Sequence, residues 1–324
     1  MTARTSRRGV DLRVAAFTLA LVACLAAVRC GGGSGGNGNG SGGGPGIPGP
    51  TSPTPNPTPA GPETFVGAGD IAICGGNAEA TARQLDSIGG TVFTLGDNVY
   101  PSGTRADFRN CYEPTWGRHK SRTRPSPGNH DYDTPGAAPY YEYFGANAGL
   151  SGEGFYSFDL GAWHIISLNS NVQAVGSGQL SWLRADLAQH ATTKCTMAYW
   201  HHPIFSSGPN SVNASEAPIR AYAEQMFRIL YEASADLVLV GHEHLYERFA
   251  PQSPDGVLDT ARGIRQIIVG TGGVPLYDFR PPRMNSEVRL KTHGVMKLTL
   301  SSDRYQWDFL PTSGAGDSGT TACH

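Results

Sequence analysis

No Cys-x-x-Cys spacing occurs in this 324-residue chain, which excludes a cysteine-ligated metal or redox centre of that type. An excess of positive charge is missing too. Lysine and arginine number 25 against 27 aspartates and glutamates, a formal net charge of −2, so nothing here offers nucleic acid a basic surface. A P-loop is absent: Val269-Gly270-Thr271-Gly272-Gly273 is rich in glycine but lacks the following Lys-Ser/Thr, and reads as a glycine turn. The apolar run from Val14 to Val28 is too short, and its side chains too small, for a comfortable bilayer span. Residues 31–62 hold almost no apolar side chains, so they cannot offset the entropy cost of folding. Internal repeats are missing as well.

What is present divides the chain in three. Arg4, Arg7, Arg8 and Arg13 ahead of the short apolar run make residues 1–30 an export signal. Leu21-Val22-Ala23-Cys24 fits a bacterial lipoprotein cleavage site with Cys24 acylated; Cys30 is the rival anchor, with Arg29 as a poor preceding residue. The Gly/Ser/Asn then Pro/Thr stretch 31–62 is a disordered tether, floppy at first and stiffer where proline dominates. Residues 63–324 are long enough for one catalytic domain. The leader up to Ala23 carries four arginines and one aspartate, so its removal leaves a charge of about −5. These features place the protein outside the cytoplasm of a bacterium, secreted or lipid-anchored at the envelope, with no other membrane contact. Four cysteines lie beyond the leader. In an exported chain an even number suggests two disulfides, for which three pairings are formally open. Cys74 and Cys111 each follow a motif loop and are paired here, leaving Cys195 for the penultimate Cys323.

Short β-branched apolar runs end at acid, amide or imidazole residues with some regularity. Thr64-Phe65-Val66 leads to Asp70, Thr91–Leu95 to Asp97, Thr196–Trp200 to His201, and Asp236–Val240 to His242. Such runs read as buried strands, and ligands of open α/β sheets gather beyond the carboxyl ends of strands. Helical patterns cover 78–88, 179–187 and 216–232. Further strands are expected over Phe155–Leu160, Trp163–Leu168, Gly263–Val269, Val295–Leu300 and Tyr305–Leu310, with Gly161-Ala162 as a hairpin turn. The fold class that follows is α/β: two mixed β-sheets packed as a sandwich flanked by helices.

The motifs supply donors for two metal ions. Carboxylates suit hard cations and imidazole suits iron, zinc and their neighbours. Two cations held roughly 3.5–4 Å apart repel, so a bridging carboxylate is needed, and Asp97 is the natural one. Tyr100 returns to the same place as a phenol that only a strongly Lewis-acidic ion such as iron(III) would ionise near neutral pH.

The ordered set Asp70, Gly-Asp97-x-x-Tyr100, Gly-Asn129-His130-Asp131, His201-x-Pro203 and Gly-His242-x-His244 resembles the calcineurin-like metallophosphoesterases, and within them the purple acid phosphatases. Asp70-Ile71-Ala72 lacks the histidine that most metallophosphoesterases carry there, and Tyr100 is present instead. The resemblance implies an αββα fold with one metal held by Asp70, Asp97, Tyr100 and His244. A second would sit on Asp97, Asn129, His201 and His242. Iron(III) with a divalent ion (iron, zinc or manganese) is the implied pair. His130 would protonate the leaving oxygen or position phosphate, with Asp131 orienting it, while a hydroxide held by the metals attacks phosphorus. The implied reaction is hydrolysis of small phosphate esters, monoesters first. A phosphodiesterase or nucleotidase on the same metals is the alternative, and a non-catalytic surface binding module a distant one.

The resemblance breaks on the loop Ile204–Asn210, which lacks the extra histidines often found there, so it does not fix the phosphate contacts or an acid optimum. Strand alternation would turn His202 away from His201. His119, His164, His190 and His293 read as surface or core histidines, and Arg248 as a packing residue. The C-terminal Asp317-Ser318-Gly319 carries no evident chemistry.

Overall fold

The computed structural model describes residues 61–171 and 178–324. The export signal, Cys24, Cys30 and nearly all of the tether lie outside the described residues.

The expected apolar runs form parallel strands. Glu63–Ala68 (β1) pairs in parallel with Thr91–Leu95 (β2), which pairs in parallel with Thr123–Ser126 (β3). Beyond β1 the sheet continues antiparallel through Gly294–Leu300 (β11), Arg304–Pro311 (β12) and Asp317–Ala322 (β13), for the order β13-β12-β11-β1-β2-β3. The second sheet runs β10-β8-β9-β7-β6-β5-β4. Its parallel centre is Trp163–Ser167 (β5), Cys195–Tyr199 (β6), Leu237–Val240 (β7) and Arg265–Val269 (β9). Tyr156–Leu160 (β4), Tyr246–Phe249 (β8) and Ser286–Leu290 (β10) complete it antiparallel. The hairpin β4–β5 turns at Gly161-Ala162 as expected, with Leu160 opposite Trp163 and Gly161 at φ 60°.

Period-two alternation explains why the central runs are apolar throughout. Met197, Tyr199, Leu237, Leu239 and Ile267 face the other sheet, while Ala198, Trp200, Val238, Val240 and Ile268 face the helices outside. Phe65 of the first sheet meets Tyr199 of the second with ring centroids 5.7 Å apart. Phe65 is fully buried, which contributes about 2–3 kcal/mol. Helices Gly178–Gln189 and Ala217–Glu232 cover the second sheet, and Ala78–Asp86 lies against the first, where Gln84 donates to Leu310 O at 3.0 Å. Among the described residues no helix is long and apolar enough to cross a membrane.

Four strands went unread in the sequence: β3, β8, β10 and β13. β3 is Thr-Arg-Pro-Ser at a sheet edge, where proline is tolerated. β13 is almost wholly polar. Both disulfides form as paired, Cys74–Cys111 and Cys195–Cys323, the second tying the start of β6 to the end of the chain.

Candidate metal centre

The loops after β1, β2, β3, β6 and β7 all leave the carboxyl ends of parallel strands, and they meet where the two sheets adjoin. Three residues there take the left-handed conformation without being glycine: Asp70 (φ 59°), Asp97 (φ 48°) and His242 (φ 69°). That conformation is strained for a side-chain-bearing residue and clusters at functional sites. Close approach explains Gly128. A Cβ there would lie 2.1 Å from Asp97 Oδ1, so Asp97 occupies the room that the missing side chain leaves.

Seven of the nine expected site residues converge. Tyr100 Oη lies 3.0 Å from Asp70 Oδ1, 2.7 Å from Asp97 Oδ2 and 3.2 Å from His244 Nε2. His244 Nε2 is 3.4 Å from Asp70 Oδ1. On the other side of Asp97, His201 Nε2 is 3.2 Å from Asp97 Oδ2, 3.1 Å from Asn129 Oδ1 and 3.3 Å from His242 Nδ1. Asp97 Oδ2 therefore touches both groups. Donor atoms of Asp70, Asp97 and His201 lie within 4.8 Å of one another, all buried.

Outer hydrogen bonds aim the imidazoles. Nδ1 of His201 donates to Leu95 O at 2.7 Å, and Nδ1 of His244 to Pro275 O at 2.9 Å, so each ring turns Nε2 inward. His242 is reversed: its Nε2 meets Glu216 Oε2 at 3.1 Å and its Nδ1 faces in. Glu216 was missed in the sequence reading. It lies far from the motifs in the chain, and nothing in its neighbours marks it.

The electrostatics suit cations. Among the described residues, the ion pairs of Asp70 and Asp97 are all to histidines. Burial pushes the Asp97 carboxyl up, but the charge and hydrogen bond of His201 override it and hold it far below the usual carboxylate range. Burial likewise opposes charge on His201, yet Asp97 raises it to about 9. Burial, then the charges of Asp70 and Asp97, push the Tyr100 phenol well above its ordinary value. Two buried carboxylates thus draw protons onto neighbouring donors. Two carboxylates, a phenol, an amide oxygen and three imidazoles are a donor set that fits hard or borderline metal ions, which would stand in for those protons.

His130 sits beside the cluster. Its backbone N–H donates to Asp97 Oδ1 at 2.8 Å, its Nε2 lies 4.0 Å from Asp97 Oδ2, and its ring is 4.3 Å from that of Tyr100. Two expectations need correction. Asp131 does not orient His130: its Oδ2 accepts from Asn98 Nδ2 at 3.0 Å and Gly128 N at 2.8 Å. Burial, then the charge of Asp97, raises the Asp131 carboxyl to about 7. The His130 ring is held instead at Nδ1, by Pro101 O at 2.6 Å and Asp133 Oδ2 at 3.1 Å. Nor does His202 turn away. The chain leaves strand geometry after Tyr199, and the His202 ring packs 4.8 Å from His201 and 4.4 Å from His242, with Nδ1 2.7 Å from Ser170 Oγ. Burial, then the charges of His242 and His201, push it well below the usual histidine value.

The residues read as bland stand apart from this cluster. His119 and His293 meet backbone carbonyls, His164 and His190 stack on one another near Asp186, and Arg248 pairs with Asp317 at 2.6 Å. The glycine turn packs against the site: a Cβ on Gly270 would lie 2.8 Å from Asp70 Oδ2.

Comparison with known proteins gives a consistent answer. The family model described as calcineurin-like phosphoesterase matches residues 63–246. Purple acid phosphatase 23 of Arabidopsis thaliana is 30% identical over 186 residues, 52% of this chain and 39% of that protein. Acid phosphatase type 7 of Homo sapiens is 29% identical over 207 residues, 54% of this chain and 46% of that protein. This chain thus spans less than half the length of either relative. Among solved structures, a purple acid phosphatase from yellow lupin (Lupinus luteus) seeds superposes with a TM-score of 0.65 at 20% identity, covering 81% of this chain and 54% of the other. That degree of identity supports the fold, two mixed sheets with flanking helices.

Proposed function

The chain belongs to the calcineurin-like phosphoesterase family, and from that premise we propose that it hydrolyses phosphate monoesters outside the cytoplasm at a dinuclear metal centre. The carrying observation is Asp97 Oδ2, 2.7 Å from Tyr100 Oη on one side and 3.2 Å from His201 Nε2 on the other. One ion belongs with Asp70, Asp97, Tyr100 and His244, the other with Asp97, Asn129, His201 and His242. Iron(III) suits the phenol-bearing side, with iron, zinc or manganese as the divalent partner. When bound, such a pair offsets phosphate charge and lowers the pKa of attacking water.

The protein's own groups do the rest. Asn129 and the three imidazoles add donors to the site without adding negative charge. His130 presents Nε2 to the cluster while Nδ1 stays fixed on Pro101 O. A ring carrying both protons gives up the Nε2 proton to the leaving oxygen. Asp131, buried and bonded to Asn98 and Gly128, caps the short helical turn Asn129–Tyr132 that carries Asn129 and His130. The two disulfides agree with an oxidising compartment, which supports the reading of the N-terminal segment as an export signal.

The test is metal analysis and hydrolysis on one sample of natively expressed protein, with a phosphomonoester and a phosphodiester in parallel. Two ions per chain and faster monoester turnover are expected. Faster diester turnover would favour the phosphodiesterase alternative. Metal with no turnover on a broad panel would favour a binding module.

A further inference from the structure

The three imidazoles of the cluster are not held alike. His201 and His244 rest on backbone carbonyls, Leu95 O and Pro275 O, which no substitution can remove. His242 rests on a side chain. Its Nε2 lies 3.1 Å from Glu216 Oε2, and its own backbone N–H donates to Asp70 Oδ2 at 2.8 Å. A carboxylate accepts and cannot donate, so this contact demands a proton on Nε2, and in the neutral ring the lone pair then lies on Nδ1, the atom that faces His201 at 3.3 Å.

Glu216 is itself held. Its other oxygen, Oε1, accepts from Asn213 Nδ2 at 2.8 Å, and Arg220 Nη1 lies 3.7 Å from Oε2. Arg220 is anchored in turn on Asn210 O and Asn213 O. The Glu216 side chain is 16% exposed, so its charge is only weakly screened by water. Asn213 and Glu216 lie between the histidine-free loop Ile204–Asn210 and the helix Ala217–Glu232, and Arg220 sits in the first turn of that helix. This stretch aims a carboxylate at the back of His242.

We propose that Glu216 is a positioning residue that fixes the His242 tautomer and thereby sets how tightly the Asn129–His201–His242 side of the centre holds its ion. A carboxylate behind a ligating imidazole fixes the ring and raises its basicity, and losing such a partner costs about 10–100-fold in metal affinity. The Asp70–Tyr100–His244 side has no contact with Glu216 and keeps its affinity. The inference rests on the metal-centre reading above, but the tautomer can be measured without metal.

Long-range 1H–15N spectra of the metal-free protein read which nitrogen of His242 carries the proton. Wild type is expected to show the Nε2–H form. Glu216→Ala should give a mixture of tautomers. Glu216→Gln keeps an oxygen acceptor and should keep the tautomer while losing the charge. Calorimetric titration with zinc should show two ions in wild type and one of them weakened about 10–100-fold in Glu216→Ala, less in Glu216→Gln, with the other unchanged. A purely structural role would instead lower the thermal midpoint of the metal-free variants and leave the tautomer alone. Wild-type His242 protonated on Nδ1, or Glu216→Ala with unaltered tautomer and zinc affinities, overturns the inference. Should wild type take up no pair of ions, the functional reading fails separately, and the tautomer alone decides the role of Glu216.

Discussion

The hydroxyl of Tyr100 lies 2.7 Å from Asp97 Oδ2, the carboxylate three residues before it. The same hydroxyl is 3.0 Å from Asp70 Oδ1. Two buried carboxylates thus share the phenolic hydrogen, and their negative charges lie close together, an arrangement that a cation relieves. Iron-loaded, oxidised protein is therefore expected to absorb visible light through a phenolate–iron(III) band. Tyr100→Phe should abolish or displace that band while leaving the His201 side of the centre occupied. Spectra of both proteins check this, and a colourless iron-loaded wild type would remove the phenolate assignment but not the hydrolase.

Asp97 stands between two groups of donors, so its replacement should reach both. Asp97→Asn keeps the shape and halves nothing gradually: it removes the shared negative charge. Both ions should be lost or bound far more weakly. Metal ions contribute several kcal/mol of charge stabilisation, and at about 1.4 kcal/mol per tenfold in rate hydrolysis should fall by about 10³-fold or more. Metal stoichiometry per chain decides the point, because an unchanged count of two would end the bridging role.

His130 should act on the leaving group and not on metal retention, since its ring nearest the cluster is 4.0 Å from Asp97 Oδ2. His130→Ala is expected to lower kcat by about 10²–10⁴-fold on alkyl monoesters. The loss should shrink on an aryl ester with a good leaving group, which needs no proton. Asp133→Asn should reproduce a smaller part of the effect, because Pro101 O still holds Nδ1. Asp131→Asn should act through the geometry of the helical turn Asn129–Tyr132 and lower kcat equally on both esters. Comparing the two substrates across the three variants separates these roles.

The parts of the fold that could be read beforehand are those whose side chains are dictated by burial. β1, β2, β6 and β7 are predominantly apolar because water is excluded from both faces, and each is followed by a polar residue where the sheet ends. β3 and β13 carry no such signature: one is an edge strand with Pro125, the other a polar strand paired only to β12. The donors were readable from short spacings such as His242-x-His244 at the end of an apolar run, although the left-handed turn at His242, and not strand alternation, brings both rings to the site. His202 was misread because that alternation ends at Tyr199. The orienting partners were not readable at all. Glu216 reaches His242 across 26 residues, and Pro101 O and Asp133 take the place expected of Asp131, because hydrogen-bond partners are chosen by tertiary packing and not by local pattern.

Away from the centre, His164 is nearly fully buried between Asp186 (Nε2 to Oδ2, 2.8 Å) and Asp159 (Nδ1 to Oδ1, 3.1 Å), with His190 stacked at 3.6 Å. Ser157 also donates to Asp186 at 2.7 Å. Burial works against charge on His164, but Asp186 and then Asp159 raise its pKa above the ordinary value. Burial also pushes Asp186 up, and His164 with Ser157 more than reverses that, lowering it. The raised histidine contributes stability that is complete below its unfolded pKa of about 6.5 and is lost as pH rises through the folded value. The lowered aspartate contributes stability that is complete above about 3.9 and is lost as pH falls through its folded value. The pair should therefore stabilise the fold most between about pH 4 and 6.5. Asp186→Asn should cost about 1–3 kcal/mol in that window, with the difference from wild type shrinking on either side. Denaturant unfolding of both proteins from pH 3 to 9 measures it. A difference that stays flat across that range would mean that His164 does not change its proton occupancy on folding.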